Sequence, residues 1–311
     1  MKCLVTGATG FIGSALTKRL VEEGHHIKAI IHTKRPESFE NNVDYITADI
    51  TDPSSLKPAV DDVDVVIHCA ALVKDFGSKN MFYKVNVEGT KNIAELCKNT
   101  HCFIYLSHIR YESTNHFGYY TMSKMKAENY LLNKYKQEGY PTIIIRPGNV
   151  YGPGATIWVL RPLRAIQKNQ ITLIDNGNGI FHHAYINNLI DAIIAAMRKR
   201  SAVGETFDIT DGDHSISYGR YFNDLAKIAG RKPIKKNMSK TTAYVLSRLM
   251  MACYRITRVE PLVTPTAVQI FTNKKQVSIE KAEKILGYTP KIDYAEGMKQ
   301  IRKWLQEEGL I

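Results

Sequence analysis

Tyr120 and Lys124 stand four residues apart in the run Tyr-Thr-Met-Ser-Lys. On a helix that spacing places both side chains on one face. A tyrosine with its unperturbed pKa of about 10 is a poor acid or base at neutral pH. A lysine ammonium one turn away favours the phenolate, so the pair reads as a proton-transfer device with the tyrosine pKa expected below its ordinary value. In a chain with 17 tyrosines the spacing arises easily by chance. Its weight comes from what precedes it.

That is the stretch Thr6-Gly7-Ala8-Thr9-Gly10-Phe11-Ile12-Gly13. It follows a short apolar run, Lys2 to Val5, and leads into Ser14 to Val21, whose apolar residues have helical spacing. Strand, glycine-rich turn and helix form the context in which such a loop holds a dinucleotide. Glycines let the backbone turn tightly and approach a pyrophosphate, and the helix start offers unpaired N–H groups to it. The spacing is G-x-x-G-x-x-G rather than G-x-G-x-x-G. The bland alternative is a tight turn without a ligand.

The elements around these residues alternate. Apolar runs at 2–6, 27–31, 43–47, 63–68, 102–107 and 141–146 read as strands, and segments 11–23, 53–60, 80–98 and 117–138 as helices. Alternation of this kind predicts an α/β fold, a doubly wound parallel sheet with helices on both faces. After Pro147 glycine and proline cluster and the segments shorten. The expected division is a dinucleotide-binding domain over 1–150 and a smaller substrate-binding lobe over 151–311, with the chain crossing back between them.

The 42 Lys and Arg against 30 Asp and Glu give a formal charge of +12, and from Lys227 to Ile311 17 cations stand against 7 acids. A basic segment draws anionic substrates, membrane surfaces or nucleic acid, or is simply a solvated face. No aromatic-plus-basic nucleic-acid motif accompanies it, so no nucleic-acid partner is expected. No apolar run reaches the roughly 20 residues that span a bilayer. The five cysteines lack metal-ligand spacing and read as free thiols in a reducing compartment, which with the early first strand suggests a cytoplasmic protein without a leader or a metal. Residues 239–256 are apolar and basic, with Val245, Leu246, Leu249, Met250, Cys253 and Ile256 on one helical face. The plainest reading is a core-facing helix; a pocket cover or a helix lying on a membrane surface are the alternatives.

Taken together, these motifs resemble the extended short-chain dehydrogenase/reductase family, which contains nucleotide-sugar epimerases, dehydratases and 3β-hydroxysteroid dehydrogenase-like reductases. The resemblance runs through the whole chain. It implies that Gly7, Thr9, Gly10, Phe11, Ile12 and Gly13 cradle the cofactor phosphates and that Asp49, before Ile50, meets adenine. It also implies that Ala70 and Ala71 in Ile67-His68-Cys69-Ala70-Ala71 pack on the cofactor. Asn86 in Asn-Val-Glu-Gly-Thr would order a water or the helix near Lys124. Pro147, Gly148 and Val150 in Arg-Pro-Gly-Asn-Val-Tyr-Gly-Pro-Gly would close over the nicotinamide. Tyr185 to Ala192 resembles the start of the substrate-lobe helix, and Lys281 to Pro290 the C-terminal signature. Lys124 would hold the nicotinamide ribose as well as tune Tyr120. In this family the helices at 80–98 and 117–138 pair in a homodimer, with Tyr130, Leu131 and Tyr135 as apolar or aromatic residues on the second.

Two positions depart from the family pattern. Where a Ser or Thr usually bonds the substrate oxygen, the pair here reads Ser107-His108. Three readings stand: His108 takes over as a hydrogen-bond donor, the site is impaired, or Ser107, Ser113 or Thr114 supplies the hydroxyl. At the end of the second strand the acid that selects NAD is absent. Ile31 or His32 stands there, followed by Lys34 and Arg35, which favours NADP with NAD as the alternative. The expected function is an NAD(P)-dependent oxidoreductase acting on a small-molecule secondary alcohol or ketone. The alternatives are a nucleotide-sugar epimerase/dehydratase and a non-catalytic cofactor-sensing protein. An Arg that grips the sugar-nucleotide diphosphate in many relatives is missing from Gly179 to Tyr185; Arg161, Arg164 or the basic C-terminal segment are the substitutes available.

Overall fold

Runs dense in Val, Ile and Leu, too short for helices and bounded by Gly, Asp or Pro, form a parallel sheet buried on both faces. The computed structural model describes residues 1–33, 41–110 and 118–311. In chain order the first half holds β1 (Lys2–Thr6), α1 (Phe11–Glu22), β2 (His26–Ile31), β3 (Val43–Thr47), α2 (Pro53–Val60) and β4 (Val65–His68). Then come α3 (Lys79–Tyr83), a π-helical turn (Lys84–Glu88), α4 (Gly89–Leu96), β5 (Cys102–Leu106), α5 (Tyr119–Glu138) and β6 (Thr142–Pro147). The second half holds β7 (Asn149–Tyr151), α6 (Arg161–Gln167), β8 (Leu173–Ile174), β9 (His183–Tyr185), α7 (Ile186–Arg198), β10 (Thr206–Ile209) and α8 (Tyr218–Ile228). It closes with β11 (Asn237–Met238), α9 (Lys240–Thr257), α10 (Pro265–Phe271), α11 (Glu280–Leu286) and α12 (Tyr294–Glu307).

Seven strands form one parallel sheet in the order β10-β6-β5-β4-β1-β2-β3. The order reverses between β1 and β4, and in such sheets the crevice outside the carboxyl ends of the strands at that point is where ligands bind. β10 lies far along the chain yet pairs with β6, so the second half closes the edge of the first half's sheet. The core divides into layers on either side of that sheet. One layer, led by Leu4, Val66, Phe103 and Ile144, packs under α2, α4 and α5. The other continues from Val5, Ile67 and Ile145 into the second half, where Tyr151, Phe181, Tyr218 and Tyr221 are buried together.

The helix expected over 80–98 begins at Lys79 and ends at Leu96, interrupted by the π turn. Cys3, Cys97 and Cys102 are buried, whereas Cys253 is exposed; all five thiols are free. No helix among the described residues is long and apolar enough to cross a membrane.

Candidate active site

A cleft of about 770 Å³ opens at the carboxyl ends of β1, β4, β5 and β6. That volume falls within the range of cofactor and small-molecule sites. Its inner wall is mostly backbone. Gly7 has φ +67° and lies so close to the β4 end that a Cβ there would sit 2.8 Å from the Ala70 nitrogen. The Gly10 amide donates to the Gly7 carbonyl at 2.9 Å, and a Cβ on Gly13 would collide with that same oxygen. Gly10 is also the N-cap of α1 and offers no side-chain cap. The first-turn residues Phe11, Ile12 and Gly13 therefore face the cleft with amide groups that no side chain caps. Thr9, Ala70 and Ala71 complete this wall.

A buried relay holds the wall together. Thr6 Oγ1 accepts from the Ala70 amide at 3.1 Å and bonds His68 Nδ1 at 2.7 Å. His68 Nε2 meets Thr90 Oγ1 at 3.0 Å, and the Thr90 hydroxyl donates to the Asn86 carbonyl at 2.8 Å. Burial, assisted by Lys124, pushes the His68 pKa down to about 3, so the imidazole is neutral.

At the far end Asp49, Ile50 and His32 line the cleft. The Thr51 amide donates to Asp49 Oδ1 at 2.8 Å and holds that carboxyl below its usual range, with His32 and Lys84 adding to the effect. His32 Nε2 approaches Asp49 Oδ2 at 3.7 Å. No carboxylate stands at the end of β2 itself. Lys34 and Arg35 lie outside the described residues, as do Ser113 and Thr114. A glycine cradle, uncapped helix amides and a polar outer end fit an elongated dinucleotide.

Leu106, Ser107, His108, Tyr120, Lys124, Pro147, Gly148 and Val150 line the other end. Tyr120 and Lys124 share a face of α5, as their spacing required. Lys124 is 2% exposed, and its Nζ lies 4.1 Å from the Tyr105 ring centroid. Burial lowers its pKa from 10.5 to about 7. The expected depression of the Tyr120 pKa is corrected by the structure: it is raised. Loss of hydration is the larger cause, and the nearby Asp75 carboxylate adds to it. The His108 ring lies 5.3 Å from the Tyr120 ring. Burial first and Lys124 second push the His108 pKa down to about 3, and its buried Nδ1 has no partner among the described residues.

Ser107 borders the cleft, but its hydroxyl donates to Glu128 Oε2 at 2.9 Å. Glu128 is fully buried and also receives Arg110 at 2.6 Å and Arg146. Burial pushes its carboxyl up, but the two guanidiniums more than offset this and keep it below its ordinary range. This cluster ties the loop after β5 to α5 and β6. The sequence reading missed it; its signal was a Glu one further turn along the face that carries Tyr120 and Lys124. Asn86 is buried beside the cleft rather than lining it. Its Oδ1 accepts from the Leu72 amide at 2.7 Å, and its Nδ2 donates to the Leu72 carbonyl at 3.2 Å and to Ser123 Oγ at 2.9 Å. The π turn aims this side chain.

The remaining wall is mostly apolar, formed by Leu72, Val73, Val85, Ile157 and Trp158, with Lys84 and Thr156 as its polar members. Arg161 and Arg164 are exposed on α6 and do not line the cleft. The core-facing reading of residues 239–256 is also overturned: α9 exposes Val245, Leu249 and Ile256 and buries only Ala243 and Ser247. Ala243 and Ser247, with the half-buried Tyr244, Met250, Met251 and Tyr254 around them, form the side that meets the body of the protein.

The sequence profile of the NAD dependent epimerase/dehydratase family matches residues 3–210. Among curated proteins the chain is 26% identical to a 2-alkyl-3-oxoalkanoate reductase of Stenotrophomonas maltophilia, over 97% of this chain and 98% of the relative. It is also 26% identical to a decarboxylating sterol-4-alpha-carboxylate 3-dehydrogenase of Mus musculus, over 96% and 89%. The crystal structure of gox2253 superimposes with a TM-score of 0.81 at 25% identity, covering 99% of this chain and 98% of that one.

Proposed function

Because the chain belongs to the NAD dependent epimerase/dehydratase family, whose members bind NAD(P), we propose that it is an oxidoreductase exchanging hydride between NADP and a lipophilic secondary alcohol or ketone. The observation that carries this reading is the meeting of Tyr120, Lys124 and His108 at one end of a cleft whose outer wall is apolar. The relatives named for acting on oxoalkanoates and sterol carboxylates are consistent with it. The bound nicotinamide supplies or takes up the hydride. Gly7 to Gly13 hold the phosphates, Asp49, Ile50 and His32 the adenosine end, and Ala70, Ala71, Pro147, Gly148 and Val150 the nicotinamide end. Tyr120, with its raised pKa, keeps its proton at neutral pH and gives it to the substrate oxygen during reduction. Lys124 holds the ribose and steadies the phenolate as the proton leaves. Neutral His108 donates an N–H to the same oxygen, because the Ser107 hydroxyl is committed to Glu128. Asn86 acts through Leu72 and Ser123 as a positioning residue. Ile157 and Trp158, within residues 151–311, supply part of the substrate side beside Leu72, Val73 and Val85. A homodimer built on the Lys79–Leu96 segment and α5 belongs to the same proposal, and light scattering that gives a monomer mass would remove it.

The test is turnover by purified protein with NADPH and a panel of ketones. Tyr120→Phe should abolish turnover and leave cofactor binding intact. His108→Ala should lose roughly 10²–10³ in rate, as when an oxyanion donor is removed, and His108→Ser should recover part of it. A fully active Tyr120→Phe enzyme would refute the mechanism. No oxidation of NADPH by any ketone would favour the cofactor-sensing alternative, and turnover of a nucleotide sugar the epimerase/dehydratase one. The apolar wall argues against the latter.

A further inference from the structure

Helix α9 is apolar on two sides, with Tyr244, Met250, Met251 and Tyr254 half-buried toward the protein and a second apolar stripe toward solvent. At about 100° per residue, Val245, Leu249, Ala252 and Ile256 fall within about 60° of one another. The buried Ala243 and Ser247 lie on the opposite side. A surface helix ordinarily turns its apolar stripe inward and its polar face outward. Here the stripe that faces solvent is apolar: Val245 is 54%, Leu249 60% and Ile256 86% exposed. The exposed apolar run continues past the helix end through Val259 at 70% and Leu262 at 91%.

The charge beside this stripe has one sign. Lys240, Arg248, Arg255 and Arg258 are exposed between residues 240 and 262, and Glu260 is the lone acid there. Arg248 and Arg255 fall on one flank of the stripe, within reach of whatever the apolar face meets. Their long stems let cations sit at a headgroup layer while Leu249 and Ile256 go deeper. An apolar face flanked by cations and lacking anions complements an anionic lipid surface. A soluble protein partner would have to offer a matching apolar patch with an acidic border. The bilayer offers both at any point.

The helix also stands beside the cleft. Tyr254, on its inner side, makes an edge-on contact at 5.2 Å with Phe76. Phe76 belongs to the segment after β4 whose earlier residues, Cys69 to Val73, line the cleft. Val73 and Ile157 on the cleft wall are 46% and 42% exposed. The inner side of α9 thus abuts the segment that carries part of the cleft wall.

We propose that the outward face of α9 docks the protein on an anionic phospholipid bilayer, in the plane of the interface and without spanning it. The cleft mouth is then held at the lipid surface, where a poorly water-soluble ketone can pass between bilayer and site. The docking itself stands whether or not the proposed reaction is right.

Flotation of the whole protein with vesicles tests it. One set is phosphatidylcholine alone, and the other contains roughly one-third phosphatidylglycerol to set an anionic surface. The protein should float with the anionic vesicles and far less with the neutral ones, and high salt should release it. Leu249→Glu with Ile256→Glu should reduce the bound fraction about tenfold or more, and so should Arg248→Gln with Arg255→Gln. Because all four side chains are exposed, both double variants should keep the parent's thermal midpoint and circular dichroism spectrum. The Arg pair keeps the test valid even where the acidic pair disturbs folding. Failure of the parent to float on anionic vesicles overturns the proposal, as does flotation of both variants equal to the parent's. If Leu249→Glu with Ile256→Glu instead halves the particle mass in light scattering with no change in flotation, a second copy covers the face and the proposal is wrong.

Discussion

The two walls of the cleft are built by opposite means. The inner wall, from Gly7 to Gly13 and at Ala70 and Ala71, is backbone brought close by the absence of side chains. The outer wall, at Leu72, Val73, Ile157 and Trp158, is side chain carried on connecting segments. A wall of backbone tolerates almost no substitution, because its spacing is set by the sheet and by φ angles that only glycine adopts freely. A wall of side chains can be re-cut one residue at a time. One binds what is common to a whole family, and the other selects what is particular to this chain.

Gly13→Ala would break this contrast first. An added methyl would collide with the Gly7 carbonyl, so the loop must open. Loss of cofactor affinity should be a hundredfold or more, about 3 kcal/mol, by fluorescence titration. An unchanged affinity would mean that the loop does not bear on the ligand at all. Glu128→Ala comes next. It leaves Arg110 and Arg146 without their shared buried partner. The expected loss is about 3–5 kcal/mol by chemical denaturation, with a lowered turnover because the segment carrying His108 loosens. A loss of stability without any effect on turnover would confine the cluster to holding the sheet together.

Lys124→Met tests the burial of charge behind both walls. The Lys124 pKa of about 7 lies below the 10.5 of an unburied lysine. Between those values the unfolded chain binds more protons than the folded one, so stability rises with pH across that window. Below about pH 7 the cost of burying the ammonium is present in full. Lys124→Met should therefore stabilise the ligand-free protein at pH 6, by an amount of order 2–4 kcal/mol, while abolishing turnover. The gain should fade as the pH approaches 10. A gain that stays constant with pH would count against a buried ammonium. The smallest effect belongs to the outer wall. Ile157→Asp, at a position already 42% exposed, should raise KM for a lipophilic ketone roughly tenfold and leave cofactor affinity and thermal midpoint alone.

The same contrast explains what the sequence disclosed. The glycine loop, the strands and the Tyr120–Lys124 spacing were legible because local chemistry and short-range periodicity determine them. Ser107 and His108 both border the cleft beyond the end of β5, and only the fold shows that the Ser107 hydroxyl is taken by Glu128. The Tyr120 pKa went the other way from the expectation because burial and Asp75, brought in by the fold, outweigh a neighbour one turn away. Helix α9 deceived for a similar reason. Periodicity reports that an apolar stripe exists and is silent on which side of the helix meets the protein. The Glu128 cluster joins positions 107, 110, 128 and 146, and no spacing rule connects those four.

The π turn at Lys84–Glu88 has a consequence for how this chain can vary in length. Such a turn holds one residue more than an α-helical turn would. Deleting a single residue there would return the helix to regular winding and improve its backbone hydrogen bonding. It would also rotate Asn86 by about 100° relative to the helix beyond it. Asn86 would then let go of Leu72 and Ser123. A change that is favourable to the helix as a helix is thus unfavourable to the cleft. The extra residue persists as a misfit in length, kept for the direction in which it points one carboxamide.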